Sequence, residues 1–402
     1  MNTFKRAYIP YGGYYSTPFC RWQGTMQNEN SIELSAKTAR RWFLEKKKLD
    51  PAILDYLYFG ITVHQLHLFH AHNWAAGMLV DDKKGLPGLF INQACTTSTT
   101  ILQLAALAVE QGVYEVGFGL MADRCSNSAH TVWPNPMGPG GQVIAEDWMM
   151  DNFNAPNVSP PLKMLQTAEN VAKEVGITKE EVDAVVVRRY EQYLMALEND
   201  RAFQKRYMFP AEVKLSKKQT KLVEQDEGVT ATTAEGMAKL KPVEPGGVHS
   251  FGAQTFPADG NCGFIVTTRE KAKELSADPK IEIQIVSYGF ARVKPGYMPA
   301  APVPAADMAL ANAGLKISDM KAIKSHNPFA TNDINFAKKL GNDVMKMNNY
   351  GSSLIYGHPQ APTAGRIIME MIEEMAMLGG GYCLWAGCAA GDTGASMILK
   401  VG

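Results

Sequence analysis

Hydrophobic and polar positions along this chain switch repeatedly between a strand-like and a helix-like period. The apolar run Leu89-Phe90-Ile91 is followed by a turn of small polar residues. Beyond it Ile101, Leu104, Ala105 and Ala108 fall on one face, which predicts a strand handing over to a helix that ends near Gly112. Residues 113–120 read as the next strand. Much later, residues 281–286 alternate at period two, as a half-buried strand does. A helix around 304–313, a strand over 321–325 and a helix over 365–378 follow. That last helix has Ile368, Met371, Ile372 and Met375 on one face and is stopped by Gly379-Gly380-Gly381. Segments 382–387 and 396–401 flank Gly391-Asp392-Thr393-Gly394 and read as a hairpin. The pattern predicts two α/β halves without tandem repeats.

Between the halves, over residues 121–246, the composition changes. Pro134, Pro136, Pro139, Gly138, Gly140 and Gly141 mark an irregular loop. Thr178 and Glu181 form a capping box that opens an amphipathic helix running toward Leu197. Lys214, Lys217, Lys218 and Lys221 make a basic run, expected on a solvated helix face.

At 402 residues the chain can bury two or three domain-sized units. Forty basic and 40 acidic residues cancel, so nothing suggests nucleic acid or a membrane surface as a partner. The start has no signal-peptide core, and no apolar run reaches the roughly 18 residues of a membrane span. Six scattered cysteines (20, 95, 125, 262, 383 and 388) with no CxxC pair suit a reducing cytoplasm better than a disulfide framework or structural zinc. His64, His67, His70 and His72 cluster, but no nearby cysteine or carboxylate completes a metal site. An interface or a substrate entrance is the expected role there.

Cys95 sits at the strand-to-helix junction. Helix N-termini present unpaired N–H groups and a positive dipole end, so a nucleophilic thiolate with lowered pKa is one reading. A small inert residue under the helix is the other. His326 ends a short strand, His358 lies in Gly-Ser-Ser-Leu-Ile-Tyr-Gly-His-Pro, and Cys388 lies in Gly-Cys-Ala-Ala-Gly-Asp-Thr-Gly. Read singly, His326 and Cys388 also fit as core residues.

Together these segments resemble the thiolases. In that family a nucleophilic cysteine opens a helix, followed in order by an Asn-Glu-Ala-Phe or His-Asp-Cys-Phe segment, a Gly-His-Pro segment and a final Cys-x-Gly-Gly-Gly hairpin. Here the counterparts are Cys95, His326-Asn327-Pro328-Phe329, His358 and Cys388, with Ala390-Gly391-Asp392 in place of the glycine run. Thr167-Ala168-Glu169-Asn170, Leu240-Lys241-Pro242 and Asp259-Gly260 are further echoes. The resemblance implies a layered α-β-α-β-α thiolase fold with two pseudo-symmetric halves and an inserted loop domain. The halves are expected over 1–120 plus 247–270 and over 271–402, with the coenzyme A-binding loop domain over 121–246.

By the same resemblance, Cys95 becomes acylated, His358 is its base, and Cys388 is the second acid–base. His326 serves the thioester oxygen, while the backbone N–H groups of Cys95 and Ala390 form an oxyanion hole. Thr255 stands where a coenzyme A-contacting serine is found. Asp392 near a thiolate would raise the Cys388 pKa or, alternatively, point to solvent. Coenzyme A is implied as a substrate, with no metal on this chain.

Several segments depart from the degradative and acetoacetyl-CoA enzymes. The start reads Tyr-Gly-Gly-Tyr-Tyr, Asn-Pro-Phe replaces Glu-Ala-Phe, and the loop is rich in Trp133, Met137, Trp148, Met149, Met150 and Phe153. The pattern is most similar to the thiolase subunits of the 2-benzoylsuccinyl-CoA group of anaerobic toluene degradation. That similarity implies cleavage to benzoyl-CoA and succinyl-CoA, a homodimeric thiolase core and a small zinc-binding OB-type (DUF35-like) partner subunit. The alternatives are a short-chain acetoacetyl-CoA thiolase or condensing enzyme, and a non-catalytic thiolase-like scaffold.

Overall fold

The computed structural model describes residues 3–81, 85–152, 154–155 and 162–402. Phe153 of the aromatic loop lies outside them. An 11-stranded mixed sheet forms the frame. Its strands are β1 (Tyr8–Pro10), β2 (Tyr14–Ser16), β3 (Cys20–Arg21), β4 (Tyr56–Gly60), β5 (Gly88–Ile91), β6 (Val116–Arg124), β7 (Ala258–Thr267), β8 (Glu282–Arg292), β9 (Met320–His326), β10 (Gly381–Ala389) and β11 (Thr393–Val401). The order is β9-β10-β11-β8-β1-β7-β6-β4-β5, with β2 and β3 also paired to β7. The principal helices are α1 (Ser31–Arg41), α2 (Ala71–Val80), α3 (Thr97–Glu110), α4 (Met164–Val175), α5 (Lys179–Arg201), α6 (Pro302–Ala313), α7 (Ala330–Leu340) and α8 (Thr363–Met377).

The two halves repeat one wiring. In the first, β2, α1, β4, α2, β5, α3, β6 and β7 follow in order; in the second, β8, α6, β9, α7, α8, β10 and β11 do. The pairings correspond as well. β4 runs parallel to β6 as β9 does to β10, and β6–β7 is antiparallel as is β10–β11. Helices α1 and α2 bury Ile32, Ala36, Ala75 and Leu79 against Leu57, Phe59 and Phe118 on one outer face. Helices α6 and α7 bury Ala306, Leu310 and Phe336 against Leu384 and Ile398 on the other. Between them lie α3 and α8, with Ile101, Leu102, Ile368, Met371 and Ile372 in the largest apolar cluster. Five layers result. β1 pairs with both β7 and β8 and so joins the two half-sheets.

Two local expectations need correction, and a third is refined. The strand expected over 113–120 is displaced to Val116–Arg124, because Val113 is exposed and the following Met121-Ala122-Asp123 are buried in the sheet. The basic run is no helix: Ala211–Ser216 and Gln219–Val223 pair as an antiparallel hairpin, whose short turn holds Lys217 and Lys218. The Pro/Gly loop is the turn of another hairpin, His130–Pro134 with Val143–Asp147. The capping box at Thr178 and Glu181 is present and starts α5, which breaks at Glu198, Asn199 and Asp200.

A buried ion pair ties the segment after the basic hairpin to the middle layer. Nη1 and Nη2 of Arg366, in α8, meet Asp226 at 2.6 and 2.8 Å, with both side chains fully buried. Arg366 also stacks on Tyr356 at 3.7 Å and meets Glu370 at 3.2 Å. Removing one partner strands a charge away from water. Asp226→Ala is therefore expected to cost about 3–5 kcal/mol, read as a fall in the denaturant midpoint; a change below about 1 kcal/mol would refute this account.

Candidate active site

Cys95 lies just beyond β5, in the tight turn Ala94–Thr96 that leads into α3. The Asn92 side chain accepts the Ala94 N–H, the Gln93 N–H donates to Thr97 Oγ1, and Ala94 is held at φ 46°. A non-glycine residue in the left-handed region marks a backbone constrained by its surroundings. The turn aims the sulfur across the middle layer at the start of α8. There Cys95 Sγ stands 3.1 Å from His358 Nε2 and 3.2 Å from Gln360 Oε1.

The Cys95 thiol is pushed up to about 12, mainly by burial, with the backbone N–H groups of Ala390 and Cys95 pulling it down and Asp123 pushing it further up. This corrects the expectation of a lowered pKa. Two N–H donors do not offset the loss of water around an anion. His358 is driven down to about 3 by burial, so its imidazole is neutral. The resting pair is a thiol beside a neutral imidazole, and a thiolate forms only as the proton moves to Nε2.

His358 is held firmly. Its N–H donates to Phe256 O at 2.8 Å, and its Nδ1 meets Thr363 Oγ1 at 2.7 Å on the first residue of α8. His326, the last residue of β9, lies with its ring 4.2 Å from that of His358. Its Nδ1 meets Ser353 Oγ at 2.9 Å, and its buried Nε2 has no hydrogen-bond partner. Burial, then His358, push His326 well below the ordinary histidine range. Ligand atoms of Cys95, His326 and His358 lie within 4.8 Å of one another.

Cys388 lies near the end of β10. Burial, and next the nearby Cys95, raise its pKa. Asn332 Nδ2 donates to its sulfur at 3.2 Å. The Phe329 N–H meets Asn332 Oδ1 at 3.3 Å, which orients the amide with its donors toward Cys388. Both alternatives for Asp392 fall. Its side chain is buried in the turn and accepts the N–H groups of Gly296 and Tyr297 at 3.0 and 3.1 Å. Positive φ falls on Gly391 and Asp392, so Ala390 needs no left-handed backbone.

The structure thus brings together Cys95, His358, His326, Cys388 and the Ala390 N–H. Thr255 lies on the strand-like link between Phe329 and His358, its hydroxyl donating to Ser353 O at 2.5 Å. His64, His67, His70 and His72 form no metal-spaced group among the described residues; His64 stacks on Trp148 with ring centres 4.0 Å apart. Cys20, Cys125, Cys262 and Cys383 are buried and free, and the Cys125 thiol reaches His358 O at 3.9 Å.

Sequence reasoning missed Asn332, Ser353, Gln360 and Thr363, because their partners are remote in the chain or local patterning gives them no mark. It also missed a buried chain from Glu169 through His249 to Thr331. His249 Nδ1 lies 3.0 Å from Glu169 Oε1, and its Nε2 lies 2.8 Å from Thr331 Oγ1, one residue before Asn332.

Known proteins match this chain in sequence and in fold. Residues 13–308 match the thiolase N-terminal domain and residues 279–401 the thiolase C-terminal domain. An acetyl-CoA acetyltransferase of Syntrophomonas wolfei is 29% identical over 408 aligned positions, covering 96% of this chain and 98% of that protein. The mitochondrial 3-ketoacyl-CoA thiolase of Homo sapiens is 26% identical over 389 positions, covering 96% of each. The crystal structure of the human mitochondrial enzyme in complex with CoA superposes with a TM-score of 0.88 at 26% identity, over 99% of this chain and 98% of that one. The Bacillus anthracis acetyl-CoA acetyltransferase shares the fold, with a TM-score of 0.90 at 24% identity over the whole of both chains. With both domain models matched in order across nearly its full length, this chain belongs to the thiolase family of acyltransferases.

Proposed function

We propose that this chain cleaves a branched 3-oxoacyl-CoA by thiolysis through an acyl-Cys95 intermediate, with 2-benzoylsuccinyl-CoA as substrate. The observation that carries the chemistry is the 3.1 Å contact of Cys95 Sγ with His358 Nε2, beside a second thiol. His358 takes the Cys95 proton as the sulfur attacks the 3-oxo carbon. A neutral imidazole is the form that can accept it. The C2–C3 bond breaks and its electron pair passes to the departing acyl-CoA as an enolate. Cys388 gives C2 a proton and is left as a thiolate, which the Asn332 N–H supports. That thiolate then takes the proton of incoming coenzyme A, whose sulfur attacks the acyl-Cys95 carbonyl. Cys95 leaves as the His358 imidazolium returns its proton.

Developing negative charge on oxygen needs aimed donors. The N–H groups of Cys95 and Ala390 serve the carbonyl bonded to Cys95. His326 Nε2, carrying its proton when Ser353 Oγ donates to Nδ1, serves the thioester oxygen of the other acyl group. Residues 121–246 form the proposed coenzyme A-binding insertion between halves at 1–120 plus 247–270 and at 271–402. Its helix α4 supports this, since Leu165 and Ala168 pack with Phe329 and Cys388. Thr255 is proposed to release Ser353 O and contact coenzyme A.

The aromatic acyl group is supported by an apolar cluster of Val63, Cys125 and Met149 with Trp148 against it, joined through Cys125 to the carbonyl of His358. A homodimer and a small zinc-binding OB-type partner are proposed with it. Phe69 at 98% exposure and Met137 at 94% offer apolar surface for such contacts. A second reading, a short-chain acetoacetyl-CoA thiolase, is favoured by the acetyl-CoA acetyltransferase relative.

Incubation with 2-benzoylsuccinyl-CoA is expected to leave a benzoyl adduct on the tryptic peptide carrying Cys95. An acetyl adduct from acetoacetyl-CoA, with no reaction of the aromatic substrate, would select the short-chain reading. Cys95→Ser is expected to lower turnover by at least about 10³-fold and abolish the adduct. No turnover and no adduct in the parent would leave a scaffold, and unchanged turnover in the variant would remove Cys95 as the nucleophile. Cys388→Ala is expected to retain acylation of Cys95 by a simple acyl-CoA thioester better than carbon–carbon bond formation, which falls by about 10²–10⁴-fold, measured as burst against condensation rate; equal loss of both would remove its assigned role.

A further inference from the structure

Gln360 follows His358-Pro359, and the thiolytic steps leave its amide nitrogen unused. The side chain is 7% exposed. Its Oε1 meets Cys95 Sγ at 3.2 Å and also faces His358. Its Nε2 is buried with no hydrogen-bond partner. A buried amide donor left unpaired in the free protein is costly unless something bound there accepts from it. The segment is also rigidly placed. Gln360 sits at φ 58°, its carbonyl accepts the Thr363 N–H at 3.2 Å, and the Ala361 N–H is held by Asp123 at 2.8 Å. The two polar atoms of one amide are about 2.3 Å apart by covalent geometry, so Nε2 lies within about 5.5 Å of the sulfur. The 3-oxo carbon that the sulfur attacks, and C2 beside it, come within the same distance of that sulfur.

We infer that Gln360 is a specificity-determining residue: its Nε2 donates to an oxygen acceptor carried on C2 of the 3-oxoacyl-CoA, next to the bond that breaks. The substrate class is a 3-oxoacyl-CoA with a carboxylate or amide oxygen one carbon out on that branch. The site reads the acceptor and not its charge, because the side chains at the sulfur (Cys95, His358 and His326) are neutral and the Asp123 carboxylate behind them is taken up by the N–H groups of Thr62, Val63 and Ala361. This rests on the thiolytic reading above. A hydrocarbon branch leaves Nε2 unpaired in the bound state, which is how a polar pocket rejects an apolar analogue.

The experiment compares three 3-oxoacyl-CoA substrates that differ only at C2: carboxymethyl, carbamoylmethyl and propyl. The parent is expected to favour both oxygen-bearing branches over propyl by about 10–100-fold in kcat/KM, chiefly through KM. Gln360→Leu is expected to erase that preference. Gln360→Glu, of nearly the same size, is expected to disfavour carboxymethyl against carbamoylmethyl by about tenfold, through like-charge repulsion. A parent without preference overturns the inference even if a variant fails to fold. So does a Leu variant that keeps the preference, or one that slows all three substrates equally. Failure of every substrate to acylate Cys95 removes the thiolase reading itself, and the inference with it. Acylation without discrimination removes the inference alone.

Discussion

The chemistry of this protein depends on how closely two helices approach in the middle layer. Gly365 in α8 faces α3 and β7 where no side chain fits: a Cβ there would lie 2.6 Å from Cys262 Sγ and 3.1 Å from Ser98 Oγ. Ser98 in α3 donates to the carbonyl of Ala361, just ahead of α8. These contacts hold the two helix starts face to face, and each start carries one half of the thiol–imidazole pair. The internal symmetry of the fold explains why. Each half places a central helix after its outer strands, so duplication brings two equivalent helix N-termini to one place. Cys95 stands before one and His358 before the other.

Burial then decides the protonation states. Dry surroundings push Cys95 and Cys388 up and both histidines down, so the resting centre carries no charge on any of the four. Uncharged groups are what a low-dielectric site tolerates without a counter-ion. The same dryness strengthens every donor aimed at an oxyanion once the reaction creates one. The N–H groups of Ala390 and Cys95 are the weaker effect here: they moderate the thiol and burial outweighs them.

Support for the site comes from chain segments far from it. Asn332 is aimed at Cys388 by the first turn of α7. That turn is anchored through Thr331 and His249 to Glu169 in α4. Asp333, next in line, is held by Arg189 of α5 at 2.9 Å with both side chains fully buried. The long segment between β6 and β7 therefore does more than cover the sheet: two of its helices grip the residues that orient the second thiol. Asp392, which looks intrusive in the sequence, belongs to the same scheme, since it pins the loop before α6.

Much was legible in the sequence because periodicity is local. The strand–turn–helix around Cys95, the capping box at Thr178, the hairpin of the last two strands and the order of the chemistry-bearing motifs follow from side-chain spacing and backbone preference. The basic run was misassigned, since lysines on an exposed hairpin and on an exposed helix look alike when neither face is buried. The ionisation of Cys95 is likewise not local. A helix start can be read from residues in a row, whereas desolvation depends on β10, the start of α8 and the Asp123 carboxylate closing around the sulfur. The sequence by itself determined which elements form and which residue types are available for acyl transfer. Folding alone brings residues 95, 326, 358 and 388 to one place, with the Gln360 amide at the Cys95 sulfur and the Asn332 amide at the Cys388 sulfur, because those contacts join segments up to almost 300 positions apart.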